Sequence, residues 1–355
     1  MKKFLGYGLQ ILLGVVVGIA IACTAFMNIR NPFDIVVNVL LVFAVFYFHI
    51  ILHEIGHLLC GLLSGYQFVS FRVGAFMLLK TNEGYEFTVS PVTGIAGQCL
   101  LMPPPENKPQ PFLLYHSGGV LANFGVAIVS TLYMCFEGLS FYAVLLAGVG
   151  IVLGVTNILP AASPEIPNDG ANIKEAKKGT VYLEAMQMQL HVVAKLAQGE
   201  NLANMNDEMF QIKEGLNPNS PFAIVLRMYQ YNKLQAMHEL TKASEVMGNL
   251  YEDISVMHPY FQKEVKAEWL YCLSAILNEK SMATALFEKD LKKWLPKYPQ
   301  VDKLRACYAY YALTIHDCNK ANMYYKKAEK GLNNFPYKTI AETERWLLQD
   351  IKNKI

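Results

Sequence analysis

The chain has 355 residues, of which 53% are hydrophobic and 17% charged, and its formal net charge is +2 at pH 7. This composition is more apolar and less charged than that of a typical soluble protein. The sequence holds no basic tract and no alternation of basic and aromatic residues, so nucleic acid is excluded as an expected partner. Most apolar residues precede Pro160, and most Lys, Glu and Asp residues follow it. The sequence therefore predicts a membrane half followed by a soluble half.

Four segments are apolar over about 20 residues, the length that crosses a bilayer. They run over residues 4–27, 35–63, 112–136 and 139–159. Lysines precede the first segment and follow the last, so the positive-inside rule places both termini in the cytoplasm. We expect a multi-pass protein of a bacterial plasma membrane, in contact with its lipids. The first segment is also compatible with a signal peptide that is removed.

The region 66–90, between the second and third spans, has a different period. The stretches "YQFVSFRVGAFMLL" and "GYEFTVSPV" alternate apolar and polar residues, and the turn signal "TNEG" separates them. This alternation predicts a β-hairpin or small sheet on the cytoplasmic side of the membrane. The following "TGIAGQCL" and the prolines at 103–105 are expected to form a loop without regular structure.

From residue 171 the chain has the pattern of amphipathic helices, with a linker region at 171–215 and a repeat domain at 216–355. Prolines recur in the latter part at intervals of about 40 residues, a period typical of stacked helical hairpins. These hairpins are similar to tetratricopeptide repeats, which bind partner proteins on a concave face. The fold class predicted for the whole chain is thus mostly α, a polytopic bundle of about four spans followed by soluble helical hairpins. The predicted helix pairs are 260–278 with 280–294 and 301–316 with 321–333.

The second span contains the sequence "FHIILHEIGHLLC". His53 and His57 are four residues apart, so on a helix both imidazoles lie on one face and can reach one Zn²⁺. Glu54 lies beside them and can take a proton from a water molecule at the metal, as in HExxH peptidases. A single HExxH match in a soluble protein is often structural, but ionisable residues inside membranes are rare and usually functional. His49, one turn earlier, is interpreted as a packing or supporting residue rather than a ligand.

Catalytic zinc needs a third protein ligand, and "TNILPAASPEIPNDGAN" after the fourth span supplies Asp169. The prolines in this stretch prevent a continuous helix, and irregular backbone at membrane depth is tolerated where it lines a wet cavity. The second and fourth spans end on the same side, so His57 and Asp169 can meet. The alternatives are that Asp169 is only a turn residue before Gly170, or that Glu165 is the ligand; we rank Glu165 below Asp169.

Three motifs in order, "HEIGH", "GGVLANFG" and "NILP" followed by "NDG", resemble those of the site-2 proteases, the intramembrane zinc metalloproteases. The resemblance covers about residues 35–175. It implies zinc ligation by His53, His57 and Asp169, with Glu54 as the catalytic glutamate. It also implies that three further residues, Asn123, Asn157 and Pro160, lie around the site.

The chain departs from the family pattern in three respects. Val120 stands where the family usually has proline, and the segment between Pro160 and Asp169 is longer than in the compact family form. No PDZ-like insertion separates the β-region from the third span. The helical repeats occupy the C-terminal position, and the resemblance implies nothing specific about their role.

The leading hypothesis is therefore an intramembrane zinc endopeptidase in which Glu54 activates water at the zinc. Asn157 is the expected catalytic hydrogen-bond donor to the oxyanion, and Asn123 is expected to bind substrate or to link helices. A membrane-embedded substrate must become extended, and strand addition beside Val69 and Phe71 could hold it. Expected substrates are membrane-bound regulators, remnant signal peptides or pheromone precursors.

Two alternative functions belong to other classes of protein. The first is a membrane-anchored scaffold with a vestigial metal site, whose helical repeats recruit partner proteins. The second, a zinc-dependent transporter, lacks the additional intramembrane carboxylates and histidines of a permeation path. His116, near the start of the third span, either assists at the site or extends to the membrane interface, and the interfacial role is the more ordinary one.

Overall fold

The computed structural model describes residues 2–89, 96–104, 111–160, 168–333 and 335–355. The chain is mostly helical, with a small antiparallel sheet and four helices long and apolar enough to cross a membrane. It divides into two compact units. We call Met1–Gly74 with Ile95–Lys178 the apolar unit, and Ala75–Gly94 with Gly179–Ile355 the helical unit.

Among its described residues, the apolar unit contains four long helices and one short one. The four long helices coincide with the four predicted apolar spans, which confirms that these segments are helical along their length. The five helices are α1 (Lys2–Met27), α2 (Pro32–Leu63), α3 (Phe112–Glu137), α4 (Phe141–Ile158) and α5 (Asp169–Ala176). The start of α2 is fixed by a capping box, in which Asn31 accepts from the Asp34 backbone N–H and the Asp34 carboxylate accepts from Asn31.

Burial along α2 is the reverse of that in a soluble helix. Large apolar side chains such as Leu40 and Phe43 are exposed, each at 62%. The side chains turned inward are mainly polar or ionisable. The buried residues of α2 are Asn38, His49, His53, Glu54, Gly56, His57 and Gly61. An exposed apolar surface around a buried polar stripe is the arrangement that a lipid environment favours.

The apolar unit also contains a two-stranded antiparallel ladder, β1 (Gln67–Val73) with β4 (Gly97–Met102), in which Phe71 is opposite Cys99. The expectation of a loop without regular structure from "TGIAGQCL" to the prolines at 103–105 was therefore wrong for residues 97–102. Local Gly content suggested a loop, but the strand is held by pairing with a distant segment and by burial of Cys99 and Leu101. Tyr115 also donates from its hydroxyl to the Cys99 carbonyl, at 2.8 Å.

The remaining strands, β2 (Phe76–Thr81) and β3 (Gly84–Val89), form an antiparallel hairpin in the helical unit. Gly74, at φ 57°, turns the chain between β1 and β2 and divides the long strand expected from the alternation. Two contacts join the hairpin to helices of its unit. Asn82 donates to the Gln198 carbonyl at 2.7 Å, and Lys338 pairs with Glu86 at 3.3 Å.

The helical unit contains eight α-helices among its described residues. They are α6 (Thr180–Ala197), α7 (Pro221–Ala236), α8 (Leu240–Glu252), α9 (Pro259–Tyr271), α10 (Lys280–Leu286), α11 (Val301–Ala309), α12 (Cys318–Leu332) and α13 (Lys338–Asn353). Three of these helices, α9, α10 and α11, continue as π-helical turns that end at Ile276, Leu291 and Thr314.

The helical unit repeats one backbone feature at regular intervals. His238, Asn278 and His316 have φ values of 63°, 55° and 60°, and each stands two residues before the start of α8, α10 or α12. His and Asn are among the side chains that tolerate this left-handed conformation. The three positions lie about 40 residues apart, a period typical of helical-hairpin arrays. Each marks the corner between two consecutive helices.

Candidate metal centre

Three side-chain atoms converge at one point in the apolar unit. His53 Nε2 lies 3.0 Å from Asp169 Oδ2, and His57 Nε2 lies 3.3 Å from the same oxygen. The two imidazole Nε2 atoms are 3.1 Å apart. The histidines come from adjacent turns of α2, and Asp169 opens α5, so the predicted meeting of the second span with the segment after the fourth is observed.

This donor set fits a metal ion. Three atoms bound at about 2.0–2.1 Å in tetrahedral geometry lie about 3.3 Å apart, close to the separations observed. The second ring nitrogen of His57, Nδ1, lies 2.8 Å from the Tyr115 carbonyl, which can only accept. A neutral His57 therefore carries its proton on Nδ1 and directs a lone pair from Nε2 toward His53 and Asp169. The three residues could hold a cation between them.

Asp169 is held as a carboxylate. Burial alone would raise the pKa of Asp169, but the hydrogen bonds to His53 and His57 and the electrostatic interactions with these imidazoles together outweigh this effect and lower that pKa below its ordinary value. Among the ion pairs of the described residues, Asp169 pairs with these two histidines and with no Lys or Arg. A metal ion would supply the positive charge that this carboxylate lacks.

Asn168 fixes the position of Asp169. Its side-chain nitrogen donates to the carbonyls of Thr156 and Leu159, each at 2.7 Å, and its oxygen accepts from the Ala171 backbone N–H at 3.0 Å. One side chain thus caps the last carbonyls of α4 and the first amides of α5. Sequence reasoning missed Asn168, although an Asn directly before a short acidic helix start is an N-cap signal.

Small residues allow α2 and α3 to approach closely at the site. A Cβ atom on Gly56 would lie 2.3 Å from the Gly118 carbonyl oxygen, and a Cβ on Gly118 would lie equally close to that of Gly56. A Cβ on Gly119 would lie 2.5 Å from the His53 ring. The glycines are thus required where the α2 and α3 backbones touch each other and where the α3 backbone touches the His53 ring.

Glu54 is only 7% exposed and faces β4. A Cβ on Gly97 would lie 2.7 Å from Glu54 Oε1, and the backbone N–H of Cys99 interacts with the Glu54 carboxylate. The strand that the sequence pattern missed therefore passes directly over the expected catalytic glutamate. The short apolar run "CLLM" was its only local signal, too short to identify a strand.

The other predicted residues occupy different places. Asn123 is fully buried between His49 and His53, and so lies behind the ligands rather than at a surface open to substrate. The Asn157 side chain donates to the Leu153 carbonyl, one turn earlier, at 2.9 Å. Its catalytic role stays a prediction.

The strand residues expected to hold substrate lie in β1. Val69 is 4% exposed at a bulge in the β1–β4 ladder, and Phe71 is half-buried and paired with Cys99. The β1 edge beside β4 is therefore already paired, and a substrate role for these two residues stays untested. His116 is 8% exposed with its ring 4.6 Å from that of Tyr115, which does not fit a side chain extended to an interface.

Glu165, the competing carboxylate, lies outside the described residues. Pro160 is exposed just beyond the end of α4.

Comparison of the chain with known protein families, with characterised proteins and with solved structures found no match.

Proposed function

We propose that this chain is an intramembrane metalloendopeptidase similar to the site-2 proteases. The observation that carries the proposal is the convergence of His53 Nε2, His57 Nε2 and Asp169 Oδ2 within hydrogen-bonding distance of one another. A glutamate follows the first of these histidines directly, on the same helix. Ligand atoms and a neighbouring carboxylate of this kind are the components of metal-assisted hydrolysis.

The proposed metal is zinc. Two imidazoles and one carboxylate leave a coordination position open, as catalytic zinc sites do, although the same donors also suit Fe²⁺. The HExxH spacing with its internal glutamate favours zinc. When bound, zinc would polarise the scissile carbonyl and lower the pKa of a coordinated water to about 7.

Glu54 is the proposed proton carrier. Its carboxylate would accept a proton from the attacking water and later deliver that proton to the leaving amine. Gly97 lets the β4 backbone cover this carboxylate closely, since any larger residue would collide with it. The β4 backbone thus limits the access of solvent to Glu54 and restricts the movement of its side chain.

The proposed substrate is a membrane-embedded peptide such as a membrane-bound regulator, a remnant signal peptide or a pheromone precursor. A peptide bond inside a helix is shielded by its own hydrogen bonds, so the substrate must be extended at the site. Because β4 passes Glu54, we place the extended segment beside β4 rather than beside Val69 and Phe71. The helical repeats would bind a partner protein or the cytoplasmic tail of the substrate.

The proposed location is a bacterial plasma membrane, crossed four times with both termini in the cytoplasm. The exposed apolar faces of α1 to α4 and the polar interior of α2 support membrane insertion. The lysines that flank the first and last spans support the orientation.

The proposal is tested by comparing membrane peptides from cells that produce the wild type or Glu54→Gln. Because general acid–base catalysis contributes about 10²–10⁴-fold, we expect Glu54→Gln to retain its metal and to lose at least about a hundredfold in cleavage rate. Glu137→Gln, an exposed glutamate at the end of α3, is the matched control and should cleave like the wild type. Equal peptide profiles for wild type and Glu54→Gln would refute the enzyme and favour the scaffold.

A further inference from the structure

A buried chain of hydrogen bonds runs from the backbone of α4 to one of the candidate metal ligands. His49 Nε2 lies 3.0 Å from the Leu146 carbonyl, and His49 Nδ1 lies 3.0 Å from Asn123 Oδ1. The other end of that amide, Asn123 Nδ2, lies 3.2 Å from His53 Nδ1. His49 and Asn123 are both 0% exposed, so water does not reach this chain.

The Leu146 carbonyl determines the direction of every bond in the chain. A carbonyl can only accept, so His49 must donate from Nε2. A charged imidazole here would be fully buried and would have no carboxylate within hydrogen-bonding distance among the described residues, so burial favours the neutral form of His49. The Nδ1 atom of a neutral His49 then carries a lone pair and must receive a hydrogen bond. Only the NH₂ end of the Asn123 amide can donate it.

The orientation of the amide in turn sets the proton on His53. The two ends of an amide have nearly the same shape, so the distances hold for either orientation, and a lone pair on His49 Nδ1 requires Asn123 Nδ2 rather than Oδ1 on the His49 side. When the nitrogen donates to His49, the oxygen faces His53 Nδ1, which must then carry a proton. A neutral His53 protonated on Nδ1 has a free lone pair on Nε2, the atom that faces His57 and Asp169.

We propose that His49 is a positioning residue which, through the Asn123 amide, holds His53 in the tautomer that can bind metal. The inference rests on the proposed metal site and goes beyond it, because within the described part of the chain His49 hydrogen-bonds to Asn123 and Leu146 and not to the ligand residues or to Glu54. The opposite amide orientation would place the proton on His53 Nε2 and block ligation. His57 needs no intermediate residue of this kind, because the Tyr115 carbonyl fixes its tautomer directly.

The packing around this chain of hydrogen bonds leaves the His49 and Asn123 side chains little freedom to move. A Cβ atom on Gly150 would lie 2.8 Å from His49 Cε1 and 2.7 Å from the backbone carbonyl oxygen of Asn123. The glycine therefore makes room for the His49 ring between α2, α3 and α4. Such close packing is what a positioning role requires.

The test measures the affinity of purified full-length protein for Zn²⁺ alone, by competition with a chromogenic chelator. Loss of a residue that hydrogen-bonds to a metal ligand typically weakens metal binding by about 10–100-fold. We expect a loss of zinc affinity of this size for His49→Phe and for Asn123→Leu. Asn123→Asp should bind zinc within about threefold of the wild type, because a carboxylate accepts from His53 Nδ1 whatever residue 49 does. Phe48→Leu, an exposed neighbour of His49, is the control for substitution on this helix.

The decisive comparison adds His49→Phe to Asn123→Asp. If the amide transmits the effect of His49, this double variant should bind zinc like Asn123→Asp alone. A similar loss of affinity from His49→Phe in both backgrounds would show that His49 acts by packing, and no loss in either would show that it has no role; both results overturn the inference. A wild type without measurable zinc affinity would refute the proposed function itself, and with it this inference.

Discussion

The two units both bury carboxylates, but they neutralise them in different ways. In the helical unit, Arg305 is 1% exposed and pairs with Glu344 at 2.7 Å and Glu268 at 3.0 Å. In the apolar unit, Asp169 pairs with two imidazoles, which are neutral in the metal-binding state. The helical unit neutralises its buried carboxylates with an arginine side chain. The apolar unit instead directs lone pairs from two imidazoles and one carboxylate toward a single point, which a cation could occupy.

The difference separates a structural cluster from a candidate site. Burial raises the pKa of Glu344, and Arg305 offsets this shift only in part. The Arg305 cluster is therefore costly to form, but its opposite charges are paired within the chain. The cluster around Asp169 is satisfied only by a proton or a metal ion from outside, which is why it indicates function.

Removal of Arg305 should give the largest effect on stability. Arg305→Met leaves Glu268 and Glu344 buried without a cation, and breaking such a pair costs about 3–5 kcal/mol. The three tryptophans, Trp269, Trp294 and Trp346, all belong to the helical unit, so their fluorescence during denaturant unfolding reports on this unit.

The matched control is Arg227→Met, because Arg227 pairs with the more exposed Asp253 at 3.2 Å. We expect this change to cost less than about 1 kcal/mol. Replacing Arg305, Glu268 and Glu344 together by apolar residues should restore stability. Equal losses for the two arginines would contradict the comparison, as would a loss of zinc affinity in Arg305→Met.

An alanine at the α2–α3 crossing should give an intermediate effect, this time in the apolar unit. In Gly118→Ala the new Cβ would lie 2.3 Å from the Gly56 carbonyl oxygen, so the helices must separate. Overpacking of this kind costs about 1–3 kcal/mol, and it should also weaken zinc binding because His53 and His57 lie on the displaced helix.

Gly125→Ala lies on the same helix with nothing near its new Cβ, and it should leave zinc affinity unchanged. The measurement is thermal unfolding of detergent-solubilised protein, together with chelator competition for zinc. If Gly118→Ala and Gly125→Ala behave alike, the close crossing is not important for the site.

Loss of the Asn168 cap should give the smallest effect. Asn168→Ala removes the bonds to Thr156, Leu159 and Ala171, so Asp169 is no longer held at the start of α5. Because the effect on the ligand is indirect, we expect zinc affinity to fall by about tenfold. Asn172→Ala, one turn later on the same helix, should bind zinc like the wild type, and a similar loss in both variants would argue against a specific role for Asn168.

Much of the apolar unit could be predicted from the sequence because its signals are local. The four spans follow from apolar runs of sufficient length, and the shared face of His53 and His57 follows from helix periodicity. Asp169 was found by combining ligand number with the side of the membrane on which two helices end. All three residues meet in the structure.

The parts that were missed depend on contacts between distant segments. The strand β4 exists because it pairs with β1 and covers Glu54, and neither partner is visible in "GQCLLM". For Asn123 the sequence left two roles open, substrate binding and a link between helices, because its position between His49 and His53 depends on the crossing of α2, α3 and α4. Periodicity gives the face of one helix and does not give the neighbour that covers it.

The central claim, that His53, His57 and Asp169 hold a metal ion, is tested most directly by metal content. Purified full-length protein should contain about one zinc per chain, and Asp169→Ala should contain almost none when measured by elemental mass spectrometry at equal protein concentration. Glu165→Ala, the variant of the competing carboxylate, should keep its zinc. A wild type without bound metal, or an Asp169→Ala variant that retains the wild-type amount, would contradict the account.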